Sequence, residues 1–406
     1  MTPGRLRALW LAAAAVPAAL ALALGAGRAV VAASLAWVVG YALLELACLA
    51  IGRPRGRLAR GIRRLARAGV ALAALVAAGE VVWRLPPIVA YTGGHRPGIL
   101  RFEAERYDRL WERNPQRLRS LHLDESGRVE EKSAGARRIL ALGDDVTFGT
   151  LIGPTEDTWP YVLESSLTRD GVASQVINAG RGGFTTANEA EWLAQEGDRF
   201  APDLVIVQFS VNDAVPSYPG LRAERSFYAF DLKPLLPGLH PYLANRSYLY
   251  SALDSFREHQ QMRRLHPEGF LPLYEDTAPG WRQTREALGE IAAWGKTHGA
   301  PVLLVLFPDL EFDIDLRPGR YRYASVHEQV TRVANAVGID VLDLTPLFAE
   351  AAEAGRPIYE WYPLPCEPLP GPDVQRMAAE AIRAEIDQRG WLAAPAAPPE
   401  SDTTAR

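Results

Sequence analysis

The fold of this chain is decided by residues 138–149, which read Arg138-Ile139-Leu140-Ala141-Leu142-Gly143-Asp144-Asp145-Val146-Thr147-Phe148-Gly149. The first five residues are apolar except for Arg138 and have the length of a buried strand, and the Gly-Asp-Asp after them is typical of a tight turn. The stretch therefore predicts a strand that ends in a sharp turn and presents carboxylates at its carboxyl end.

Short apolar strands alternate with helical segments on either side of this turn. We predict strands at 138–142, 175–178, 203–209, 302–307 and 340–344. Helical spacing of apolar residues predicts helices at 158–168, 187–196, 283–298, 326–337 and 373–387. Strands that alternate with helices in this way indicate an α/β domain with a parallel sheet covered on both faces.

The remaining segments flank or interrupt this pattern. Residues 86–136 are expected to be a connector with a short helix near 103–113, and the α/β domain should span 137–390. Weak periodicity at about 215–275 indicates an insertion near the active face of the domain. The Pro- and Ala-rich end, 391–406, is typical of a disordered tail.

The first 85 residues are typical of a membrane region. Apolar stretches at 8–27 and 29–51 are long enough to span a bilayer, and a shorter third stretch covers 68–82. The loop at 52–67 holds seven arginines and no acid, which favours a cytoplasmic position for that loop. We therefore expect about three transmembrane helices, a cytoplasmic N-terminus and the large domain outside. A third helix that only lay on the membrane would instead leave the domain in the cytoplasm.

The composition excludes several functional classes. The net charge of −4 over 406 residues gives no general basic surface, so we expect no nucleic acid partner. The two cysteines, Cys48 and Cys366, are far apart in the chain, and zinc-binding and phosphate-loop motifs are absent from the sequence. We therefore expect neither a cofactor nor a metal, although Asp144, Asp145 and Asp213 have the oxygen chemistry that hard cations prefer.

Three turns follow predicted strands, where ligands gather in an open parallel sheet. The first is Gly143-Asp144-Asp145. The second covers residues 178–186, reads Asn-Ala-Gly-Arg-Gly-Gly-Phe-Thr-Thr and opens a helix, so its backbone N–H groups can face an oxyanion. The third is Ser210-Val211-Asn212-Asp213, in which Asn212 can supply a side-chain N–H donor.

These three turns, in this order, resemble the motif blocks of the SGNH/GDSL hydrolase family over roughly residues 135–390. The resemblance implies a three-layer α/β/α domain, here preceded by N-terminal transmembrane helices. It places Asp145 where the family has its nucleophilic serine, and it makes Gly183 and Asn212 the oxyanion donors. Asp144, Arg181 and Asp213, beside these positions, are the expected substrate-binding residues.

The fourth block of the family, Asp-x-x-His before the last helix, is replaced in this chain. Alignment on that helix puts Cys366 and Leu369 at the acid and base positions, with Glu367 and Asp373 as the nearest carboxylates. All seven histidines lie elsewhere, and we expect none at a strand end: His95, His122, His240, His259, His266, His298 and His327.

Several roles remain open for Asp145. It could act as a nucleophile that forms an ester intermediate, or cap the helix that follows it. Arg181 could pair with it and close the oxyanion pocket. Its neighbour Asp144 would raise one of the two carboxyl pKa values, which makes a carboxylate base conceivable.

The expected function is that of a membrane-anchored, catalytically degenerate SGNH-like protein. It would bind or present an acylated or glycan ligand in the cell envelope, with membrane lipid and envelope-polysaccharide machinery as partners. The alternatives are an active esterase, deacetylase or O-acyltransferase on acyl esters of envelope carbohydrates or lipids, and a membrane scaffold that binds no ligand. A pocket closed by Arg181 favours the scaffold, and an open cleft with a displaced histidine favours the enzyme.

Overall fold

The structure of the protein is a computed structural model that describes residues 114–150, 152–216, 235–243, 267–309, 315–354 and 370–392, with a few single positions between residues 64 and 264. Nearly all of the predicted membrane region, Cys366, Leu369 and most of the tail lie outside the described residues. No helix in the described ranges has both the length and the apolar character that a membrane crossing requires.

The chain divides into two compact units by its backbone contacts. One unit joins Met1–Ala90 to Tyr242–Leu253, a stretch within the predicted insertion. The other unit holds the remaining residues and contains the α/β domain described below.

A single parallel sheet of five strands forms the centre of the α/β domain. Its strands are β1 (Arg137–Leu142), β2 (Ser174–Asn178), β3 (Leu204–Phe209), β4 (Val302–Leu306) and β5 (Asp340–Asp343), in the order β2-β1-β3-β4-β5. Every neighbouring pair is parallel, with Leu140 opposite Ile177 on one side and Val205 on the other. The predicted parallel α/β fold is therefore confirmed, and each strand begins and ends within one residue of its predicted bounds.

The helices pack in two groups against the sheet. They are α1 (Asp145–Phe148), α2 (Trp159–Arg169), α3 (Thr186–Glu196), α4 (His240–Leu243), α5 (Pro279–His298), α6 (Ala324–Val337), α7 (Thr345–Glu353) and α8 (Pro372–Arg389). Helix α2 packs against α8 and β2, whereas α5 packs against both α3 and α6. Along the sheet, the chain passes from β1 to β2 toward one edge and from β3 through β4 to β5 toward the other edge. Because such crossovers are right-handed, the two groups of helices lie on opposite faces of the sheet.

The core sits where both faces of the sheet are covered. All six residues of β3 are buried, as expected for a central strand that is apolar except at Gln208. Trp159 at the start of α2 and Trp281 near the start of α5 are fully buried. Burial of a large apolar side chain stabilises the fold by roughly 1.5–3 kcal/mol. This packing fixes the positions of the strand ends that carry the site.

The last part of the predicted connector packs on this domain. Leu118, Arg119 and Ser120 are buried, and an isolated antiparallel bridge joins Leu123 to Val129. The predicted helix near 103–113 lies outside the described residues. Residues 114–123 thus contribute buried side chains to the domain ahead of its first strand.

Candidate functional site

The candidate site lies at the carboxyl ends of β1 and β3, where the order of the strands reverses. Open sheets with this order bind their ligands in the crevice between these two strands. The turn after β1 requires glycine at 143, whose φ is +155°. A Cβ at this position would overlap Thr147 Oγ1 and Gln208 Oε1. The close approach of Gln208 to this turn joins the two strand ends.

Asp144 is the N-cap of α1. Its Oδ1 accepts a hydrogen bond from the Val146 N–H at 2.8 Å, and its side chain is buried. The predicted capping role of Asp145 is therefore wrong by one residue, because Asp145 is already the first residue of the helix. Burial, followed by the charge of Asp145, raises the pKa of Asp144 to about 7, in agreement with the upward shift expected for neighbouring carboxylates.

The carboxylate of Asp145 turns toward the glycine-rich turn. Its Oδ2 accepts from the Gly183 N–H at 2.9 Å, and its Oδ1 accepts from the Thr150 hydroxyl at 2.8 Å. A Cβ on Gly182 would approach Asp145 Oδ1 to 2.7 Å, so a small residue is needed beside this carboxylate. The N–H that the family resemblance assigns to an oxyanion is thus already bonded to the side chain at the nucleophile position.

Arg181 does not take part in this contact. Its Nη2 donates to the carbonyl oxygen of Gln116, and its guanidinium lies 5.4 Å from the ring centre of Phe184. Its backbone N–H donates to Gly143 O at 2.9 Å, which ties the glycine-rich turn to the first turn. Within the described ranges, Asp145 is held by Gly183 and Thr150 rather than by Arg181.

The third turn presents two polar side chains beside these groups. The side chain of Asn212 is exposed, and no hydrogen bond holds it among the described residues. Ser210 is half-buried, and its hydroxyl accepts from Gln208 Nε2 at 2.7 Å. This turn therefore offers a free amide donor and a hydroxyl at the same edge as Asp144.

Asp213 and Glu189 lie buried beneath this edge. Asp213 Oδ2 accepts from the Thr186 hydroxyl at 2.8 Å. Among the residues that the structure describes, Asp213 Oδ1 and both carboxyl oxygens of Glu189 have no hydrogen-bond partner. Burial and the nearby acids raise both pKa values well above the usual range. The described ranges contain no group of three or more His, Cys, Asp or Glu arranged to hold a metal ion.

Arg119 holds the loop that follows the first turn. It is fully buried, its Nε donates to Thr155 Oγ1, and its two terminal nitrogens donate to four backbone carbonyls of residues 148–153. Those bonds include Gly149 O and Gly153 O, each at 2.7 Å. Because this loop carries Thr150, Arg119 supports one of the two contacts of Asp145.

His327 is an exception to the expectation that no histidine lies at a strand end. Its ring is buried, and Nδ1 lies 3.1 Å from Oδ2 of Asp343, the last residue of β5. Its Nε2 lies 3.4 Å from the Tyr321 hydroxyl, which itself accepts from the Asp309 N–H. Strands β3 and β4 separate β5 from β1 in the sheet. The His327–Asp343 pair therefore lies at a different part of the carboxyl edge from Asp145.

Of the fourth block, the structure describes only the residues from 370 onward. Cys366, Leu369 and Glu367 lie outside the described residues, whereas Asp373 is half-exposed in the first turn of α8 and pairs with Arg376 at 2.8 Å. Asp373 thus takes part in a surface ion pair on its own helix.

Sequence reasoning missed several residues that shape the site, namely Arg119, Thr150, Glu189 and Gln208. For Gln208 a signal was present, because a polar residue inside the apolar run of β3 needs a buried partner. For Glu189, its place in the first turn of α3 gave no indication of burial, since acids are favoured there in any helix.

Comparison with known proteins gives the family of this domain. The family model for the GDSL-like Lipase/Acylhydrolase family matches residues 141–363. An arylesterase of Vibrio mimicus is 34% identical over 87 residues, which are 21% of this chain and 43% of that relative. The match thus spans less than half of the relative's length.

Solved esterase structures give more distant matches. Axe2, an acetylxylan esterase from Geobacillus stearothermophilus, has a TM-score of 0.38 and 14% identity, over 62% of this chain and 94% of that one. A two-domain esterase (CEX) active on acetylated mannans has a TM-score of 0.38 and 16% identity, over 76% and 59%. The assignment rests on the family model, which covers more than half of the 406 residues. The chain belongs to the GDSL-like lipase/acylhydrolase family.

Proposed function

We propose that this chain is a membrane-anchored family member that has lost the serine-based hydrolytic reaction and binds or presents an acylated or glycan ligand in the cell envelope. The observation that carries this proposal is the position of Asp145. Its carboxylate is held by the Gly183 N–H and the Thr150 hydroxyl, so it is engaged as an acceptor. A group held in this way is poorly placed to attack a carbonyl carbon.

The polar groups at the edge suit a ligand that carries acyl esters or sugar hydroxyls. Asn212 offers an amide that can donate to a carbonyl or hydroxyl oxygen, and Ser210 offers a hydroxyl beside it. A few convergent polar groups of this kind fix the orientation of a ligand in a cleft. The partial similarity to an arylesterase supports an ester as the ligand class.

The membrane anchor is proposed from the apolar stretches at 8–27, 29–51 and 68–82. The arginine-rich loop between the second and third stretches favours an orientation with the domain outside the cytoplasmic membrane. Protease digestion of intact spheroplasts tests this orientation. The proposal requires that the domain be cleaved from outside, and protection of the domain until the membrane is opened would contradict it.

The experiment that tests the function uses the full chain in detergent with a panel of acetylated oligosaccharides. Binding is followed by saturation-transfer NMR and turnover by acetate release. We expect binding without sustained acetate release in both the wild type and Asp145→Ala. Sustained release that disappears in Asp145→Ala would contradict the proposal, because it would make Asp145 a nucleophile or a base.

A further inference from the structure

The imidazole ring of His122 lies between two carboxylates. Its Nδ1 is 2.8 Å from Oε2 of Glu130, and its Nε2 is 2.7 Å from Oε2 of Glu164 on α2. The same Glu164 oxygen accepts from the Val176 N–H of β2 at 2.6 Å. An ionised carboxylate only accepts hydrogen bonds, so both ring nitrogens must carry a hydrogen for both contacts to form. The arrangement therefore favours the protonated, positively charged form of His122.

The groups around the ring agree with this charge state. They are Glu130 from the segment of His122 itself, and Glu164 and Tyr161 from α2, with the Tyr161 ring centre 6.4 Å away. Burial by itself lowers the pKa of His122, but the hydrogen bonds and charges of Glu164 and Glu130 raise it above the ordinary value of about 6.5. Burial also raises the pKa of Tyr161, so this phenol stays neutral where His122 titrates. His122 thus keeps its proton to a higher pH than an exposed histidine.

These contacts attach residues 118–123 to the α/β domain. The N–H of Leu121 donates to the Tyr161 hydroxyl, and the backbone N–H of Glu130 donates to the His122 carbonyl oxygen at 2.9 Å. Three positions before His122, the side chain of Arg119 is fully buried in the domain. The segment is therefore held on α2 at His122 and reaches the interior at Arg119.

Arg119 connects this segment to the candidate site. Its guanidinium donates to the backbone carbonyls of residues 148–153. That loop carries Thr150, whose hydroxyl donates to Asp145 Oδ1 at 2.8 Å, while Asp145 Oδ2 accepts from the Gly183 N–H. Coupling between distant groups can be carried by such a network of hydrogen bonds. A continuous series of contacts thus leads from the imidazole ring to the carboxylate at the nucleophile position.

We propose that His122 is a positioning residue for the candidate site: its protonated ring holds residues 118–123 on α2, and loss of the proton at alkaline pH loosens the contacts of Asp145. A neutral imidazole has a single N–H, so one of the two carboxylates then faces a lone pair and that contact becomes repulsive. The effect on Asp145 does not depend on which ligand the site binds.

The direction of the pH effect follows from the raised pKa of His122. The contacts of the charged ring stabilise the attached segment fully below the unfolded pKa of about 6.5, and this stabilisation is lost as the pH rises through the raised pKa of the folded state. Because one proton is released, the equilibrium constant for detachment of the segment can rise by up to about tenfold per pH unit within that window. The site loop at 148–153 should loosen over the same range.

The test is pulsed hydrogen exchange of the full chain in detergent between about pH 6 and about pH 9, with each rate corrected for the chemical exchange rate at that pH. The amides followed are those of residues 118–123 and 148–153, and the Gly183 N–H, which reports directly on its bond to Asp145. We expect the protection of all three to fall together around one midpoint. His122→Gln cannot gain the charge, so its protection should be lower at pH 6 and should show no such midpoint.

Two further variants separate the charge of His122 from loss of the fold. Glu130 is 60% exposed, so Glu130→Gln leaves the packing in place but removes one of the charges that retain the proton, and the midpoint should move to lower pH. His298→Gln is the matched control, because His298 also pairs with a carboxylate, Asp198 at 2.9 Å, but at the end of α5. This variant should keep the wild-type midpoint, and the circular dichroism of both variants at pH 6 should match the wild type.

Three results would overturn the role of His122. The first is a midpoint that persists in His122→Gln, and the second is a midpoint that does not move in Glu130→Gln. The third is a Gly183 N–H whose protection stays constant while residues 118–123 loosen, since the segment would then not position Asp145.

Discussion

The side chain of Asp145 and the backbone of Gly183 are joined by a hydrogen bond of 2.9 Å between Oδ2 and the amide nitrogen. The family resemblance implies a nucleophile at position 145 and an oxyanion donor at position 183, on either side of a reacting carbonyl. Here they bond to each other. If aspartate replaces the family's nucleophilic serine here, as we propose, the change affects two functions at once, because a carboxylate is both a different nucleophile and a competing acceptor.

Removal of this internal acceptor should strengthen ligand binding. In Asp145→Ala the Gly183 N–H loses its partner and becomes available to a ligand carbonyl, whereas Asp145→Asn keeps an acceptor oxygen in place. A hydrogen bond of this kind contributes about 0.5–1.5 kcal/mol, so the dissociation constant for acetylated oligosaccharide should fall about two- to tenfold in Asp145→Ala only. Calorimetric titration measures the dissociation constant of each variant. Equal affinities in the two variants would show that Gly183 does not contact the ligand.

The buried guanidinium of Arg119 should be essential for the stability of the site loop. Arg119→Met keeps much of the volume but leaves up to four carbonyls of residues 148–153, three of them buried, without their donor. We expect a loss of at least about 2 kcal/mol in the free energy of unfolding, because each unsatisfied buried group costs about 1–3 kcal/mol.

The control for Arg119→Met is Arg128→Met, which removes an exposed arginine from the same segment. Thermal denaturation followed by near-ultraviolet circular dichroism compares the two. A melting temperature of Arg119→Met equal to that of the control would mean that the loop is held by other contacts.

The sequence predicted the sheet because its signals are local. Strands β3 and β4 are short, largely apolar runs buried along their whole length, which leaves little ambiguity about where each begins and ends. The assignment of the helix cap to Asp145 instead of Asp144 came from the same reliance on local residue types. Either carboxylate can cap a helix, and the choice depends on which residue has the non-helical backbone angles, which the side-chain types do not encode.

Contacts between distant segments were beyond sequence reasoning. The acceptors of Arg119 are backbone carbonyls, which every residue carries, so no residue type in the loop marks them as its partners. Asp145 and Gly183 lie 38 positions apart, and their bond depends on how closely the two turns approach. The order of the three turns predicted that they share an edge, but the partners within that edge follow from packing.

Glu189 should make the fold less stable in alkaline solution. Burial raises its pKa well above the usual range, so the folded state keeps a proton that the unfolded state loses. The stability from this proton is complete below the unfolded pKa of about 4.3 and is lost as the pH rises through the folded pKa, at up to about 1.4 kcal/mol per pH unit. Glu189→Gln removes the titrating carboxyl and with it this pH-dependent change in stability.

We therefore expect Glu189→Gln to melt at a higher temperature than the wild type at pH 9 and at a similar temperature at pH 5. Glu191→Gln, an exposed acid on the same helix, is the control and should show no such difference. A pH-independent gap between Glu189→Gln and the wild type would indicate that packing, rather than the buried charge, separates them.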